Sequence, residues 1–227
     1  VYVGEGHLDV GITGRDMLFD SGARATEILP LGFGGSRFRF AAPAGRFHDV
    51  ADLVGKRIAT SYPGLLGRWL EEQGIEAALV KLDGAVESAV RLGVADVVAD
   101  VVDTGTTLQR AGLEVFGEPI CTSEAILIRR DEDNEPEGLA PLRTRLESVL
   151  VAQNYLMMDY NVAETDLAAT TALASGVNGP TVSRLAEPGW MAVRVLVPRR
   201  GVHLLMDRLF EAGARGIILT ELSAVRL

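Results

Sequence analysis

Between residues 82 and 108 the spacing of apolar positions changes twice. Leu82-Asp83-Gly84 reads as a turn, and Val86, Ala89 and Val90 then recur at helical spacing, which predicts a short amphipathic helix over 85–92. Residues 94–102 are too rich in Val and Ala for an exposed strand, so a buried strand is expected there. Asp103-Thr104-Gly105-Thr106-Thr107 closes that strand, and a second helix opens near Leu108. Upstream, strands are expected over 8–12, 25–31, 37–42, 57–61 and 75–82, alternating with helices over 17–21, 49–53 and 65–73. Such alternation predicts an α/β fold with a mostly parallel sheet.

Downstream, strands are expected over 113–116 and 123–128, an acidic solvated loop over 131–138, and a helix over 141–154. From Tyr155 the order becomes strand, helix, strand, strand, helix, strand, which is ferredoxin-like and predicts a small domain over 155–227. The stretches Gly6-His7-Leu8-Asp9-Val10 and Gly93-Val94-Ala95-Asp96-Val97 share a pattern, and each leads through a strand to a Thr-Gly turn and a helix. That echo fits two α/β lobes, each presenting a strand-to-helix turn.

Composition narrows the classes. Nearly half of the residues are apolar, enough for a real core. The net charge of −9 argues against a nucleic-acid partner but not against nucleotides, which helix N-termini and Mg²⁺ bind locally. Cys121 is the only cysteine, which removes intrachain disulfides and Cys-rich metal sites and suits a reducing cytoplasm. His7, His48 and His203 lie in unrelated contexts, which argues against a zinc–histidine site or a Ser-His-Asp triad. No run is long enough for a membrane span. Val1 to Gly4 reads like the end of an element already under way, so an N-terminal truncation is expected.

The candidate chemistry sits at the turn after the 94–102 strand. The first amides of a helix lack intrahelical partners, and the macrodipole favours an anion there. Gly105 permits close backbone approach, while Thr104, Thr106 and Thr107 add hydroxyl donors. Asp100 and Asp103 place carboxylates beside that cradle, where ribose hydroxyls or Mg²⁺ can be held. A phosphorylated sugar is the ligand that needs both.

Glu87, Gly93, Ala95, Val98, Asp100, Val101, Thr104-Gly105 and Thr107-Leu108 together resemble the signature of the ATP phosphoribosyltransferase family. The likeness runs through Gly11-Ile12-Thr13-Gly14-Arg15-Asp16, Ala59 to Gly64, Leu82 to Glu87, Gly179-Pro180-Thr181 and Gly213-Ala214. The resemblance implies the long form of that family: two catalytic lobes of periplasmic-binding-protein type plus the ferredoxin-like domain. Lobe I would comprise 1–36 and 128–154, with its N-terminal part missing, and lobe II would comprise 37–127. The implied reaction joins ATP and phosphoribosyl pyrophosphate in histidine biosynthesis. It implies Mg²⁺, inhibition by histidine, a cytoplasmic homo-oligomer (dimer or hexamer), and neither nucleic acid nor membrane as partner.

By the same resemblance Asp100 and Glu87 orient the ribose, and Asp103, Thr104, Gly105, Thr106, Thr107 and Leu108 hold phosphoribosyl pyrophosphate. Arg15, Asp16 and Tyr62 face the nucleotide, with Tyr62 near adenine. Asn161, Val177, Thr181 and Gly216 match the histidine pocket; Asn161 stands where related sequences can carry Asp. No metal ligand set is assigned. Arg37 and Arg39 are expected on an exposed strand face, and the Arg199-Arg200 pair on the surface. Two other readings compete: a Rossmann-like phosphoribosyltransferase, which usually shows two adjacent acids before its loop, and a non-catalytic two-lobed module for a small anion.

Overall fold

The computed structural model describes residues 1–102, 105–131 and 135–227, and these form two compact units, Val1–Pro136 and Glu137–Leu227. The first unit holds two sheets. The smaller is antiparallel, in the order β1 (Val10–Gly14), β8 (Ala125–Arg130), β2 (Ala25–Pro30). The larger has the order β5 (Ala78–Lys81), β4 (Arg57–Thr60), β6 (Val97–Val102), β3 (Ser36–Pro43), β7 (Leu113–Ser123).

The mostly parallel sheet expected from the alternation is corrected to a mixed one. Only β5, β4 and β6 run parallel, while β3 is antiparallel to both β6 and β7. The reason is connectivity. The β5–β4–β6 strands are joined by the crossover helices α2 (Pro63–Gln73) and α3 (Glu87–Arg91), whereas β3 arrives from the other sheet through Gly32 to Gly35. The chain returns to the smaller sheet at Glu124, between β7 and β8. This is the two-lobed plan of a periplasmic-binding-protein fold.

Strand β7 is longer than expected, because it continues through Pro119 to Ser123. Pro119 is tolerated because β7 is an edge strand whose register with β3 shifts between Phe38 and Phe40, and Gly117 there has φ 63°.

The larger sheet packs its apolar residues into one aromatic cluster. Phe38 and Phe40 are fully buried on β3; Phe40 stacks on Phe116 at 5.8 Å and meets the edge of Trp69 at 5.4 Å. Leu66 and Leu70 bring α2 onto the same cluster. On the opposite face Ala41, Val86, Val98, Leu108 and Leu113 fasten α3 and α4 (Thr106–Arg110).

The second unit opens with α5 (Leu139–Asn154) and then runs β9 (Tyr155–Ala163), α6 (Leu167–Leu173), β10 (Thr181–Arg184), β11 (Trp190–Pro198), α7 (Val202–Glu211), β12 (Arg215–Thr220). Its sheet is antiparallel in the order β10-β11-β9-β12, the ferredoxin-like arrangement. Strict alternation builds its core. Leu156, Met158, Tyr160 and Val162 on β9, with Val193, Val195 and Val197 on β11, point to the side that α6 and α7 cover. No helix among the described residues is long and apolar enough to cross a membrane.

Phe40→Ala empties the centre of the aromatic cluster and should cost about 3–5 kcal/mol. Trp69 and Trp190 are the only tryptophans, one in each unit. Urea denaturation in a Trp190→Phe background, followed by Trp69 fluorescence, should show a matching drop in midpoint; an unchanged midpoint would contradict the packing.

Candidate functional site

Strand β6 lies between β4 and β3, so its early residues Val97, Val98 and Ala99 are fully buried. Asp100 is the first polar residue of the strand and is half-buried. Its Oδ1 accepts the Val101 N–H at 2.8 Å. Burial pushes the Asp100 carboxyl up from the usual carboxylate range, the Val101 amide partly opposes this, and the charge of Glu87 pushes it further up. Glu87 begins α3 after a turn in which Ala85 takes φ 49°, a strained value for a residue with a Cβ. Buried Val86 and Ala89 pin the helix on either side of Glu87. Two carboxylates from separate elements are thus near enough for the charge of Glu87 to act on Asp100 at the end of the buried strand.

The turn itself is carried by Gly105, at φ 75°, which caps α4. Gln109 N–H closes on the Gly105 carbonyl at 3.0 Å. Thr106 and Thr107 are exposed at the helix start, and the Leu108 side chain is buried in the apolar cluster. Leu108 can therefore offer a ligand only its backbone, while its side chain anchors the turn. Asp103 and Thr104 lie outside the described residues. Arg37 and Arg39 share a cavity of about 440 Å³ with Gly105, Gln109 and Glu114. The exposed face expected for the two arginines holds for Arg37 only. Arg39 is half-buried, its guanidinium donates to the Gly117 carbonyl, and its Nε is buried with no partner.

The turn after β4 brings in Tyr62. Its N–H donates to Thr60 Oγ1 at 3.0 Å, and its ring meets Phe38 edge-on at 5.4 Å. Burial raises the Tyr62 hydroxyl, and the carboxylates of Asp16, Asp100 and Asp20 raise it further. Tyr62 therefore lies in the field of carboxylates borne by both sheets. Asp16 is buried at the start of α1 (Arg15–Ser21), with its N–H on Ser123 Oγ at 3.0 Å.

Arg15 is differently engaged. It donates to Glu27 at 2.8 and 2.7 Å and to Glu124 at 3.1 Å. Those ion pairs raise the Arg15 guanidinium and hold Glu27 below the usual carboxylate range. The guanidinium is thus already shared between two carboxylates that sequence reasoning did not connect with it. Neither Glu27 nor Glu124 lies near Arg15 in the chain, so no local spacing marks them. Asp20 was passed over as well; its Oδ1 accepts the N–H groups of Gly64 and Leu65.

In the second unit, Asn161 on β9 is exposed and lies opposite Ala192 of β11 and Arg215 of β12. Gly216 has φ 58°, and a Cβ there would lie 3.8 Å from the Asn161 amide nitrogen. The structure therefore joins Asn161 and Gly216 at one edge of the sheet. Thr181 opens the opposite edge strand β10, two strand spacings (about 10 Å) from β9 and three (about 14 Å) from β12. Val177 is exposed in the turn before it. Arg199 is tied to Glu221 and to the Gln153 carbonyl, and Arg200 is exposed, so that pair lies at the surface as expected.

A two-lobed α/β unit followed by a ferredoxin-like unit is the architecture, and comparison with known families puts it among the phosphoribosyltransferases. The family model described as ATP phosphoribosyltransferase (HisG) matches residues 1–148, and the HisG C-terminal domain model matches residues 152–224. The chain belongs to the ATP phosphoribosyltransferase family. It is 57% identical to the ATP phosphoribosyltransferase of Kocuria rhizophila, over all of this chain and 81% of that one. It is 54% identical to that of Salinispora tropica, over all of this chain and 80% of the relative. Among solved structures it is similar to the ATP phosphoribosyl transferase (HisG:HisZ) complex from Thermotoga maritima. That likeness has a TM-score of 0.58 and 26% identity, covering 66% of this chain and 74% of the other.

The raised Asp100 carboxyl has a consequence for stability. A carboxyl whose folded pKa lies above its unfolded value costs stability once ionised. That cost is absent below the ordinary Asp range near ~3.9, grows as pH rises through it, and is constant above the folded pKa. Asp100→Asn should therefore be more stable than the parent at pH 7, and the difference should vanish on acidification. Thermal melts across pH 3–8 (roughly the window that brackets both pKa values) measure it; a pH-independent difference would contradict the assignment.

Proposed function

We propose that this protein transfers the phosphoribosyl group of phosphoribosyl pyrophosphate to ATP, forming N1-(5-phosphoribosyl)-ATP and pyrophosphate in the first step of histidine biosynthesis. The observation that carries this reading is the match to the ATP phosphoribosyltransferase family along the chain, and the half-buried Asp100 on the strand that leads to the Gly105 turn fits it. The adenine N1 lone pair attacks the anomeric carbon, and the bond from that carbon to the pyrophosphate oxygen breaks. Little covalent chemistry is asked of the protein; it holds the two reactants in line and stabilises developing charge.

Asp103, Thr104, Gly105, Thr106, Thr107 and the Leu108 amide take the 5-phosphate, and Asp100 with Glu87 orients the ribose. Tyr62 lends its ring to adenine. Asp16 lines the nucleotide side with Arg15, which acts there through the ion pairs it holds. Among the described residues no three metal-ligating side chains gather into a site. Asp100 and Glu87 nonetheless fit Mg²⁺ by chemistry: they are hard oxygen donors close enough for one charge to act on the other, and Mg²⁺ bound by one or two carboxylates would complete its shell with substrate oxygens and water. When bound, Mg²⁺ neutralises the leaving pyrophosphate.

The second unit binds histidine and inhibits the enzyme in this reading. Asn161 and Gly216 provide one wall, and Val177 and Thr181 the other. Because the walls lie at opposite sheet edges, one amino acid held by both fits a homo-oligomer, a dimer or a hexamer, better than a single chain. We place the protein in the cytoplasm.

Incubating the protein, as its gene encodes it, with ATP and phosphoribosyl pyrophosphate should yield pyrophosphate and the N1 adduct; absence of both ends this reading. In that assay Thr107→Ala should raise KM for phosphoribosyl pyrophosphate about tenfold or more, with KM for ATP nearly unchanged. Equal loss for both substrates would move the phosphate elsewhere. Histidine at 100-fold over its Kd should stabilise the second unit by about 2.7 kcal/mol, visible as a thermal shift read through Trp190; no shift on titration removes the regulatory assignment.

A further inference from the structure

Two helices that follow different sheets meet end to end in the first unit. α1 follows β1 of the smaller sheet, and α2 follows β4 of the larger. Asp20, in the last turn of α1, places Oδ1 2.8 Å from the Gly64 nitrogen and 3.0 Å from the Leu65 nitrogen. Those are amides of the first turn of α2, which have no carbonyl partner within the helix. The Tyr62 side chain caps none of them. The carboxylate therefore does from across the gap what an N-cap residue ordinarily does from within the chain. The helix ends also suit each other, since the negative end of one dipole abuts the positive end of the other.

The fit is tight enough to explain Gly64. A Cβ at that position would stand 2.2 Å from the Asp20 carbonyl oxygen and 3.3 Å from its Oδ1. Gly64 has no left-handed backbone that would demand glycine, and glycine in the first turn of a helix costs stability relative to alanine. Close approach of α1 is thus the reason for it. Immediately before this contact stands Tyr62, whose ring packs edge-on against buried Phe38.

We propose that Asp20 and Gly64 form a latch between the two lobes and that Asp20 is a positioning residue for ATP: by holding the start of α2, it sets the Tyr62 ring where adenine stacks. The proposal rests on the reading of Tyr62 given above. The Gly105 turn follows β6, which runs parallel to β4, so it stands at the same end of the sheet as Tyr62 but on a different strand and helix; phosphoribosyl pyrophosphate held there is not anchored by the latch, which grips only the start of α2. Asp20→Ala removes the shared acceptor, Asp20→Asn keeps a side-chain oxygen that can accept both amides, and Gly64→Ala keeps the carboxylate but pushes α1, and Asp20 with it, away.

The test has a physical arm and a kinetic arm. In this chain, hydrogen exchange at the Gly64 and Leu65 amides should speed up in Asp20→Ala and stay slow in Asp20→Asn; unchanged exchange in Asp20→Ala disproves the latch. In the gene-encoded protein, Asp20→Ala and Gly64→Ala should each raise KM for ATP about tenfold, with KM for phosphoribosyl pyrophosphate within about twofold, and Asp20→Asn should recover most of the loss. A parallel rise in both KM values, no rise in either, or no recovery with Asn overturns the positioning role. Failure of the unsubstituted protein to form product sinks the transferase reading instead, while the exchange arm still reports on the latch.

Discussion

The chain leaves the smaller sheet of the first unit at Gly32 to Gly35 and re-enters it at Glu124, and these two passages are hydrogen-bonded to each other. Leu31 N–H donates to the Ala125 carbonyl, Ala125 N–H to the Phe33 carbonyl, and Gly32 N–H to Glu124 Oε2, each at 2.9 Å. Glu124 also receives Arg15, which grips Glu27 on β2. Residues 32–35 are exposed, so water could serve these amides; pairing them with one another instead ties the outgoing and returning passages together. Pairing the crossings satisfies those amides and fixes where the two strand-to-helix turns stand. Asp16, whose N–H is held by Ser123 beside the returning passage, takes its position from that frame.

The frame concentrates like charge. Asp16, Asp20 and Asp100 all act on Tyr62, and Glu87 acts on Asp100, in a protein that already carries a net charge of −9. Folding alone gains nothing from ionised carboxylates held near one another, and Asp100 is made harder to ionise. The arrangement becomes favourable when ribose hydroxyls donate to the carboxylates or a divalent cation sits among them. Arg15 shows the contrast within the same unit. Its charge is matched locally by Glu27 and Glu124, and through them it ties the frame together. An acid made harder to ionise, Asp100, and a cation matched by two carboxylates, Arg15, are distributed as a site and its scaffold are.

Legibility followed the range of the interaction. The second unit was readable because alternation along β9 and β11 is strict, and the order of its elements admits few packings. The β6–turn–α4 element was readable because Val-rich burial, Gly105 and the hydroxyls are contiguous. The direction of β3 was not, since a strand's own residues do not record which sheet the chain came from. The length of β7 was hidden by Pro119, which reads as a stop unless the strand is known to be an edge. The partners of Arg15 and Asp20 lie 12 to 109 residues away, and Asp20 in isolation is an ordinary acid near a helix end. Gly64 carried the one usable hint, as a glycine where alanine would favour the helix.

Precision at the site is borrowed from the core one residue at a time. Asp100 follows buried Ala99, Glu87 follows buried Val86, Thr107 precedes buried Leu108, and Asp16 is itself buried against Ser123. Tyr62 has no buried chain neighbour, and it is held instead by Phe38 on one side and by the helix that Asp20 caps on the other. An anchor adjacent in sequence fixes a side chain through covalent geometry, so its neighbour needs no further partner. A residue without such an anchor has to be fixed through space. Tyr62 is therefore the member of the candidate site whose position depends on how the two sheets are joined.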